Sequence, residues 1–357
     1  MHRSPLRRAR VRRLMLVMAF AGTLPAAADA QGPITSLTVF GDSFSDTGNL
    51  FQAVGLPPAP YFNGRFSNGP VFVDYLASLL GRPGDATPAF LANLSSGNYA
   101  IGAARTVDAA VTQPGLGTQI VPGTASQIAR YATRPGGAFD PTGLYVLFAG
   151  SNDLRDAGAL TTDAARRAAA QTAALNIVAQ ANQLAVFGAR SILVPFAPNL
   201  GLIPEATLIP GRSAILADLS SVFNLTLRSQ LGTLRGANPA ASFFELSVDN
   251  LYTNLLLDAG SGGVRYGLTN TMLPCLPGFA PPGTPVPPCD ISLFADALHP
   301  TTRVHQLLAS AAYDRVINGV DVAVIPEPAT LVLVGSGLVT LLGGTLVRRR
   351  RAALRTA

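Results

Sequence analysis

The sequence predicts an α/β fold in which a parallel β-sheet carries helices on both faces. Short apolar runs, such as those at 144–149 and 191–196, have the length and continuity of strands that are buried on both sides. They alternate with longer stretches of helical periodicity, such as the alanine-rich stretch at 162–187. Alternation of strand and helix with short connections is typical of a parallel sheet, because each helix carries the chain from one strand to the next.

Each element follows from its residue pattern. The first strand, 36–40, is a short apolar run that leads into a turn of small residues. The helix at 162–187 has Thr161 or Thr162 as its N-cap and Gly188 directly after its end. The other predicted elements are helices at 70–80, 212–234 and 300–317 and strands at 144–149, 191–196 and 242–246.

Two segments, 82–140 and 257–290, lack strong periodicity and are rich in glycine, proline, alanine and threonine. Loops of this length without secondary structure are usually functional or mobile. We therefore expect both segments to form long excursions around the mouth of a site.

The strongest chemical signal lies directly after the first strand. Residues 38–49 read T-V-F-G-D-S-F-S-D-T-G-N, so Ser43 stands at the carboxyl end of a strand, where parallel sheets bind ligands. A serine nucleophile needs a base within hydrogen-bond reach and a group that orients the base. Asp296 and His299 are three residues apart, which lets the carboxylate hold one ring nitrogen while the other faces outward. The pattern predicts a serine hydrolase.

Each of these residues has a less specific alternative. A serine in a turn, taken alone, is more often structural than nucleophilic. Asp296 could instead cap a helix that starts near residue 299. The remaining histidine outside the N-terminal leader, His305, lies in the amphipathic helix at 300–317, and we expect it at the surface or at the edge of the core.

Two further segments carry groups that suit a developing oxyanion. N-Y-A-I-G-A-A at 98–104 is a small-residue turn where backbone can approach a substrate closely. F-A-G-S-N-D-L at 148–154 ends a predicted strand with the amide of Asn152, whose alternative role is that of a turn former. Asp46 and Asp153 are expected to hold their turns through hydrogen bonds to the backbone.

Together these four blocks resemble the GDSL, or SGNH, family of esterases and lipases. The resemblance covers residues 35–318 and includes a segment at 61–74, Y-F-N-G-R-F-S-N-G-P-V-F-V-D, that is similar to the larger lipase-like members. It implies an SGNH-hydrolase, flavodoxin-like three-layer sandwich. The G-x-S-x-G motif of α/β-hydrolases is absent, because Ser45 stands where that motif has its second glycine.

The resemblance also implies a mechanism. Ser43 would be the nucleophile, His299 the general base and then acid, and Asp296 the residue that orients it. The N–H groups of Ser43 and Gly102 and the amide of Asn152 would form the oxyanion hole. Family members often have Gly-Gly where this chain has Gly102-Ala103, so Ala103 could serve as the donor instead, provided that its φ is negative.

The expected substrate is an ester. Lipase-like resemblance favours an acyl lipid, and an acylated saccharide is the alternative. No cofactor is implied. A non-catalytic surface or matrix protein on the same fold is the alternative from another class of function.

The two ends of the chain are read as targeting segments. Residues 1–30 combine six arginines, an apolar stretch and an Ala-Asp-Ala cleavage site, as in a secretory signal peptide. Residues 329–347 form an uncharged stretch long enough to span a bilayer, and four arginines follow it. With the preceding Pro-Glu-Pro, the segment 325–351 resembles a PEP-CTERM sorting tail, which implies export and processing by an exosortase. An uncut membrane anchor is the alternative. The hydrolase domain is then 31–324.

Composition excludes several classes of function. Between these ends the chain has 15 arginines against 18 acidic residues, so its basic total charge gives no support for a nucleic-acid partner. The chain has no lysine, which excludes a Schiff-base lysine.

Cys275 and Cys289 enclose a proline-rich segment, and in an exported protein we expect them to form a disulfide. Free thiols or a metal pair are the alternatives, and zinc is disfavoured because no C-x-x-C is present.

Overall fold

The computed structural model describes residues 33–113 and 115–325. The predicted signal peptide at 1–30 and the predicted span at 329–347 lie outside these residues. Within the described ranges, no helix has the length and apolar character needed to cross a membrane.

The core of the fold is a parallel sheet of five strands in the order β2-β1-β5-β6-β7. The residues of β1, β5 and β6 are buried throughout, as their continuous apolar runs predict. An antiparallel hairpin, β3-β4, lies apart from this sheet. The strands are β1 (Leu37–Gly41), β2 (Gly97–Asn98), β3 (Ala109–Gln113), β4 (Gly117–Val121), β5 (Leu144–Phe148), β6 (Ser191–Pro195) and β7 (Ser242–Leu246).

Nine α-helices accompany these strands in the described part of the chain. The longest two, α5 and α7, pack against each other, and α2 packs against α9. They are α1 (Asn49–Val54), α2 (Phe72–Leu79), α3 (Thr124–Ala132), α4 (Ser151–Ala157), α5 (Asp163–Val186), α6 (Pro204–Thr207), α7 (Arg212–Ala237), α8 (Val248–Gly260) and α9 (Thr302–Ile317).

The strand order explains the layers. From β1 the chain goes first to β2 on one side and then to β5, β6 and β7 on the other. Because crossovers between parallel strands are right-handed, this reversal places α2 on one face and α5 and α7 on the opposite face. The predicted parallel sheet with flanking helices is confirmed. The N-cap of α5 is Thr162, whose hydroxyl accepts the N–H of Ala165 at 3.2 Å.

The prediction for 82–140 was wrong in part. This segment contains β2, the β3-β4 hairpin and α3 in addition to its loops. Four of the five residues of β4 are exposed, so the hairpin has no alternation of apolar and polar residues that the sequence could display. The segment 257–290 is irregular after the end of α8, as expected.

The last described residues belong to the fold. Asp321 accepts the N–H and the hydroxyl of Ser247, at 2.9 and 2.7 Å. The side chain of Asn254 donates to the carbonyl of Ala323 and accepts the N–H of Ile325. These contacts tie the segment 320–325 to α8, so the folded body extends through residue 325.

Candidate active site

Three side chains from the two ends of the described chain form one hydrogen-bonded row. Ser43 Oγ lies 2.8 Å from His299 Nε2, and His299 Nδ1 lies 2.6 Å from Asp296 Oδ2. All three residues are buried, with 4%, 8% and 4% exposure for Ser43, His299 and Asp296. A hydroxyl, an imidazole and a carboxylate in this order are the arrangement that a serine nucleophile and its base require.

The turn after β1 positions Ser43. The N–H of Asp42 donates to the carbonyl of Phe148 at the end of the neighbouring strand β5, and Asp42 Oδ1 accepts the N–H of Phe44. Burial raises the pKa of Asp42 to about 7, although the N–H of Phe44 and the charge of His299 act against it. The carboxyl group that precedes Ser43 therefore has a pKa close to neutral.

A second carboxyl group, Asp46, closes the same turn. It accepts the N–H groups of Gly48, Asn49 and Leu50. Burial raises its pKa to about 6, while these hydrogen bonds lower it. The structural role expected for Asp46 is therefore confirmed.

Asp296 is held by four donors. Its Oδ1 accepts the N–H groups of Leu298 and His299, at 2.7 and 2.6 Å. Its Oδ2 accepts His299 Nδ1 and also the hydroxyl of Tyr61, at 2.5 Å. Burial opposes ionisation, but the charge and hydrogen bonds of His299 and the hydroxyl of Tyr61 outweigh it and lower the pKa of Asp296 to about 2. The carboxylate is thus ionised throughout the neutral range.

The tight turn from Asp296 to His299 precedes α9, and it is closed by a backbone bond. The N–H of Ala295 donates to the carbonyl of His299 at 2.8 Å. The N–H of Glu205 donates to the carbonyl of Ala297, which ties the turn to α6. Because α9 begins only at Thr302, Asp296 does not cap it, and the alternative role as a helix cap is excluded.

Asn152 lies in the first turn of α4, directly after β5. Gly150 precedes this helix as its N-cap with φ 116°, and a Cβ at that position would lie 2.6 Å from the ring of Phe223. The Asn152 side chain donates from Nδ2 to the carbonyl of Ala104, while its Oδ1 accepts from Arg155 at 3.2 Å. Since Oδ1 faces the guanidinium, the amide is held in one orientation, and Nδ2 has a second hydrogen to donate.

Gly102, the expected oxyanion donor, already has an acceptor for its N–H within the protein. Its N–H donates to Asp46 Oδ2 at 2.8 Å. Ala103 has φ 64°, so the negative φ required above is absent. A positive φ strains an alanine but does not prevent its N–H from donating. Among the described residues, the N–H groups of Ala103 and Ser43 have no acceptor.

The expectation for His305 was also wrong. This side chain is fully buried on α9, and neither ring nitrogen has a hydrogen-bond partner in the described part of the chain. The ring of Phe44 is near both histidines, 6.1 Å from the ring of His299 and 6.2 Å from that of His305. Burial and the charge of His299 lower the pKa of His305 to about 3.

Sequence reasoning missed two residues that contact the site. Tyr61 lies in the segment 61–74, which resembles a segment of the larger lipase-like family members, but nothing in the sequence indicates that Tyr61 contacts Asp296. Arg155 follows Asn152 by three residues, and the i, i+3 spacing on a helix is a signal that could have suggested the contact.

The two cysteines lie beside the site. Cys275 and Cys289 are bonded, with their Cα atoms 5.0 Å apart. The N–H groups of Cys275 and Leu276 donate to the carbonyls of Phe294 and Ala295, just before the Asp296 turn. No group of metal-ligating side chains is found in the described residues.

Comparisons with known proteins give the family. The profile of the GDSL-like Lipase/Acylhydrolase family matches residues 37–312, and that of the PEP-CTERM protein-sorting motif matches residues 324–351. A GDSL esterase/lipase of Arabidopsis thaliana is 26% identical over 347 residues, which cover 84% of this chain and 93% of the relative. A phosphatidylcholine-sterol acyltransferase of Aeromonas hydrophila is 27% identical over 255 residues, covering 71% and 68%.

Among solved structures, a carbohydrate acetylesterase from Sinorhizobium meliloti has 15% identity and a TM-score of 0.38, covering 80% of this chain and 99% of that one. A similarity this low adds nothing to the assignment, which rests on the family profile and the curated relatives. The chain therefore belongs to the GDSL-like lipase/acylhydrolase family of ester hydrolases, and its C-terminal end carries the PEP-CTERM sorting motif.

Proposed function

We propose that the protein hydrolyses carboxylic esters through an acyl-enzyme on Ser43. The observation that carries the proposal is the row of contacts from Ser43 Oγ to His299 Nε2 and from His299 Nδ1 to Asp296 Oδ2, at 2.8 and 2.6 Å. His299 takes the proton of the attacking hydroxyl and returns it to the leaving alcohol. Water then attacks the acyl-enzyme, His299 takes its proton, and the acid leaves as Ser43 regains its hydrogen.

The tetrahedral intermediate needs donors at its oxyanion. We assign this role to the N–H groups of Ser43 and Ala103 and to Nδ2 of Asn152. The N–H of Ile101 donates to the carbonyl of Gly41, which places the following residue pair, Gly102-Ala103, beside the end of β1. Asp46 occupies the N–H of Gly102, so its neighbour is the better donor.

The oxyanion assignment has a direct test. A crystal structure of the enzyme with a phosphonate ester bonded to Ser43 Oγ mimics the intermediate. We expect its phosphoryl oxygen about 2.7–3.1 Å from the N–H nitrogen of Ala103. An oxygen bonded to Gly102, with the Asp46 contact broken, would contradict the assignment.

The catalytic proposal is tested by hydrolysis of p-nitrophenyl acetate, butyrate and palmitate by residues 31–325. Ser43→Ala should abolish turnover, because it removes the nucleophile, while the circular dichroism spectrum stays that of the wild type. Labelling with a fluorophosphonate, followed by peptide mass spectrometry, should find Ser43 modified in the wild type and no label in the variant. Turnover of the variant within about tenfold of wild type would rule out the acyl-enzyme on Ser43.

The same assay addresses the substrate class. An acyl lipid is favoured, since the family takes its name from lipases and the Aeromonas relative is named for an acyl transfer from phosphatidylcholine. Aromatic rings also surround the base: Phe66 lies 5.0 Å and Phe44 6.1 Å from the ring of His299. Higher kcat/KM for butyrate and palmitate than for acetate supports this assignment. Preference for acetate, with activity on acetylated oligosaccharides, would identify a sugar-ester deacylase instead.

Export is part of the proposal. The sorting motif at 324–351 supports passage through the inner membrane and processing near Pro326-Glu327-Pro328. Mass spectrometry of the extracellular protein tests this step. A C-terminus near these residues supports processing, whereas a chain that extends to Ala357 would indicate a permanent anchor.

A further inference from the structure

The segment 61–74 contacts the histidine end of the triad along its length, although the mechanism above gives it no role. Ser67 Oγ donates to the carbonyl of Pro300, and Asn68 Oδ1 accepts the N–H of Thr302. The hydroxyl of Thr302 donates to the carbonyl of Pro70. The segment therefore holds the residues that directly follow His299.

The same segment begins with a contact to the triad itself. The hydroxyl of Tyr61 donates to Asp296 Oδ2, the oxygen that also accepts His299 Nδ1. The ring of Phe66, five residues later, lies 5.0 Å from the ring of His299 and 5.8 Å from that of Tyr61. Tyr61 and Phe66 thus cover the carboxylate and the imidazole from one side.

The disulfide-closed loop also contacts Tyr61. Phe279 lies within the loop between Cys275 and Cys289, and its ring packs edge-on against that of Tyr61 with centroids 5.4 Å apart. The backbone of the loop is also bonded to Phe294 and Ala295. One side chain of the loop therefore fixes the ring whose hydroxyl binds the triad carboxylate.

We propose that Tyr61 is a positioning residue of the triad and that the disulfide-closed loop acts on catalysis through it. The proposal rests on the proposed ester hydrolysis. The hydroxyl takes part of the charge of Asp296 Oδ2, and it fixes the direction in which this oxygen meets His299 Nδ1. Phe279 keeps the hydroxyl in place.

Removal of the hydroxyl has a defined electrostatic consequence. Oδ2 of Asp296 then has His299 Nδ1 as its remaining partner, so protonated imidazole is held more strongly. The acid limb of the pH dependence of kcat/KM should move to higher pH. Two other titratable groups feel the charge of His299, namely Asp42 beside the nucleophile and His305 behind Phe44. Both are present in wild type and variant, so the shift reports the hydroxyl.

The test compares Tyr61→Phe with wild type on p-nitrophenyl butyrate between pH 5 and 9. We expect kcat to fall about tenfold, because the two N–H groups on Oδ1 still hold the carboxylate and only one charge-assisted bond is lost. KM should stay within about twofold, and the acid limb should rise by about half a pH unit. The matched control is Tyr75→Phe, which removes a hydroxyl that contacts Thr302 Oγ1 and no triad atom.

The control should keep the wild-type kcat and acid limb. A Tyr61→Phe enzyme with unchanged kcat and pH profile would overturn the proposal. So would a lower kcat with an unmoved acid limb, because the hydroxyl would then support only the local structure.

The role of the loop is tested by Phe279→Ala in both backgrounds. In the wild type it should lower kcat several-fold, and in Tyr61→Phe it should have no further effect, because the hydroxyl on which it acts is gone. Independent effects that multiply would refute the coupling. Ser43→Ala in the same series separates a failure of the proposed function from a failure of this inference. An active Ser43→Ala enzyme contradicts the proposed function. An inactive Ser43→Ala enzyme together with an unaffected Tyr61→Phe enzyme contradicts only the role of Tyr61.

Discussion

The buried histidine His305 should make a measurable contribution to the pH dependence of stability. Its ring is enclosed on α9 with no hydrogen-bond partner among the described residues, and its pKa is lowered to about 3. In the unfolded chain a histidine titrates near about 6.5. Below that pH the unfolded state binds a proton that the folded state does not accept. The folded protein therefore loses stability as the pH falls from about 6.5 toward 3.

The size of the effect follows from the same two values. Each pH unit in this window is worth about 1.4 kcal/mol, so wild type should lose about 2 kcal/mol from His305 between pH 7 and 5. Burial raises the pKa of Asp42 to about 7 and that of Asp46 to about 6, so these groups take up protons on folding and act in the opposite direction. The contribution of His305 therefore has to be measured as a difference between wild type and a variant.

The perturbation is His305→Leu, and the assay is urea unfolding at pH 7 and pH 5. The free energy of unfolding of the variant, taken relative to that of wild type, should rise by about 2 kcal/mol when the pH is lowered from 7 to 5. Leu308→Ala is the control, since Leu308 is buried on the same helix and does not titrate. Its cost, about 2–5 kcal/mol, should be the same at both pH values. The reasoning fails if the free energies of unfolding of wild type and His305→Leu differ by the same amount at pH 7 and pH 5, because the folded ring would then bind a proton as readily as the unfolded chain does.

Three other predictions address the oxyanion donor, the C-terminal boundary and the disulfide. Asn152→Ala should lower kcat by about 10²–10³, and a change confined to KM would make Asn152 a binding residue instead. Deletion of 326–357 should leave activity and the unfolding midpoint unchanged. Deletion of 320–357 should lower the midpoint, because the contacts of 320–325 to α8 are lost. Equal midpoints of the two truncated proteins would contradict this boundary. Replacement of Cys275 and Cys289 by serine should cost up to about 3 kcal/mol of stability, measured by denaturant unfolding, and an unchanged free energy would show that the closed loop constrains nothing.

The strands that build the site could be predicted because they are buried on both faces. A run such as Leu144–Phe148 is apolar at every position and too short for a typical helix, so its length and continuity favour a buried strand. The β3-β4 hairpin could not be predicted on the same grounds. Its side chains are mostly exposed, and among those described Val111 and Val121 alone pack on a small apolar cluster, so the hairpin leaves little trace in hydrophobicity.

Residue chemistry identified the candidate triad, but the burial of His305 and the contacts of Tyr61 could not be predicted from the sequence. His305 has the spacing of a helix side chain next to buried Val304, and periodicity cannot distinguish the edge of a helical face from its centre. Tyr61 and Phe279 are more than two hundred residues apart in the sequence, and no local pattern reports their contact.

The motif at 98–104 indicates a backbone donor for the oxyanion, but it does not indicate which N–H in the turn is free. The glycine in N-Y-A-I-G-A-A points to a backbone N–H, and any residue in this turn has one except proline. Which N–H is free depends on the competing acceptor: Asp46 occupies that of Gly102 and leaves that of Ala103 open. Asp46 comes from the nucleophile turn, 56 residues earlier. In the proposed mechanism, the same carboxylate closes the turn that presents Ser43 and leaves the N–H of Ala103 open for the oxyanion. Asp46→Asn should therefore disturb both catalysis and folding, whereas loss of a donor alone should affect catalysis only.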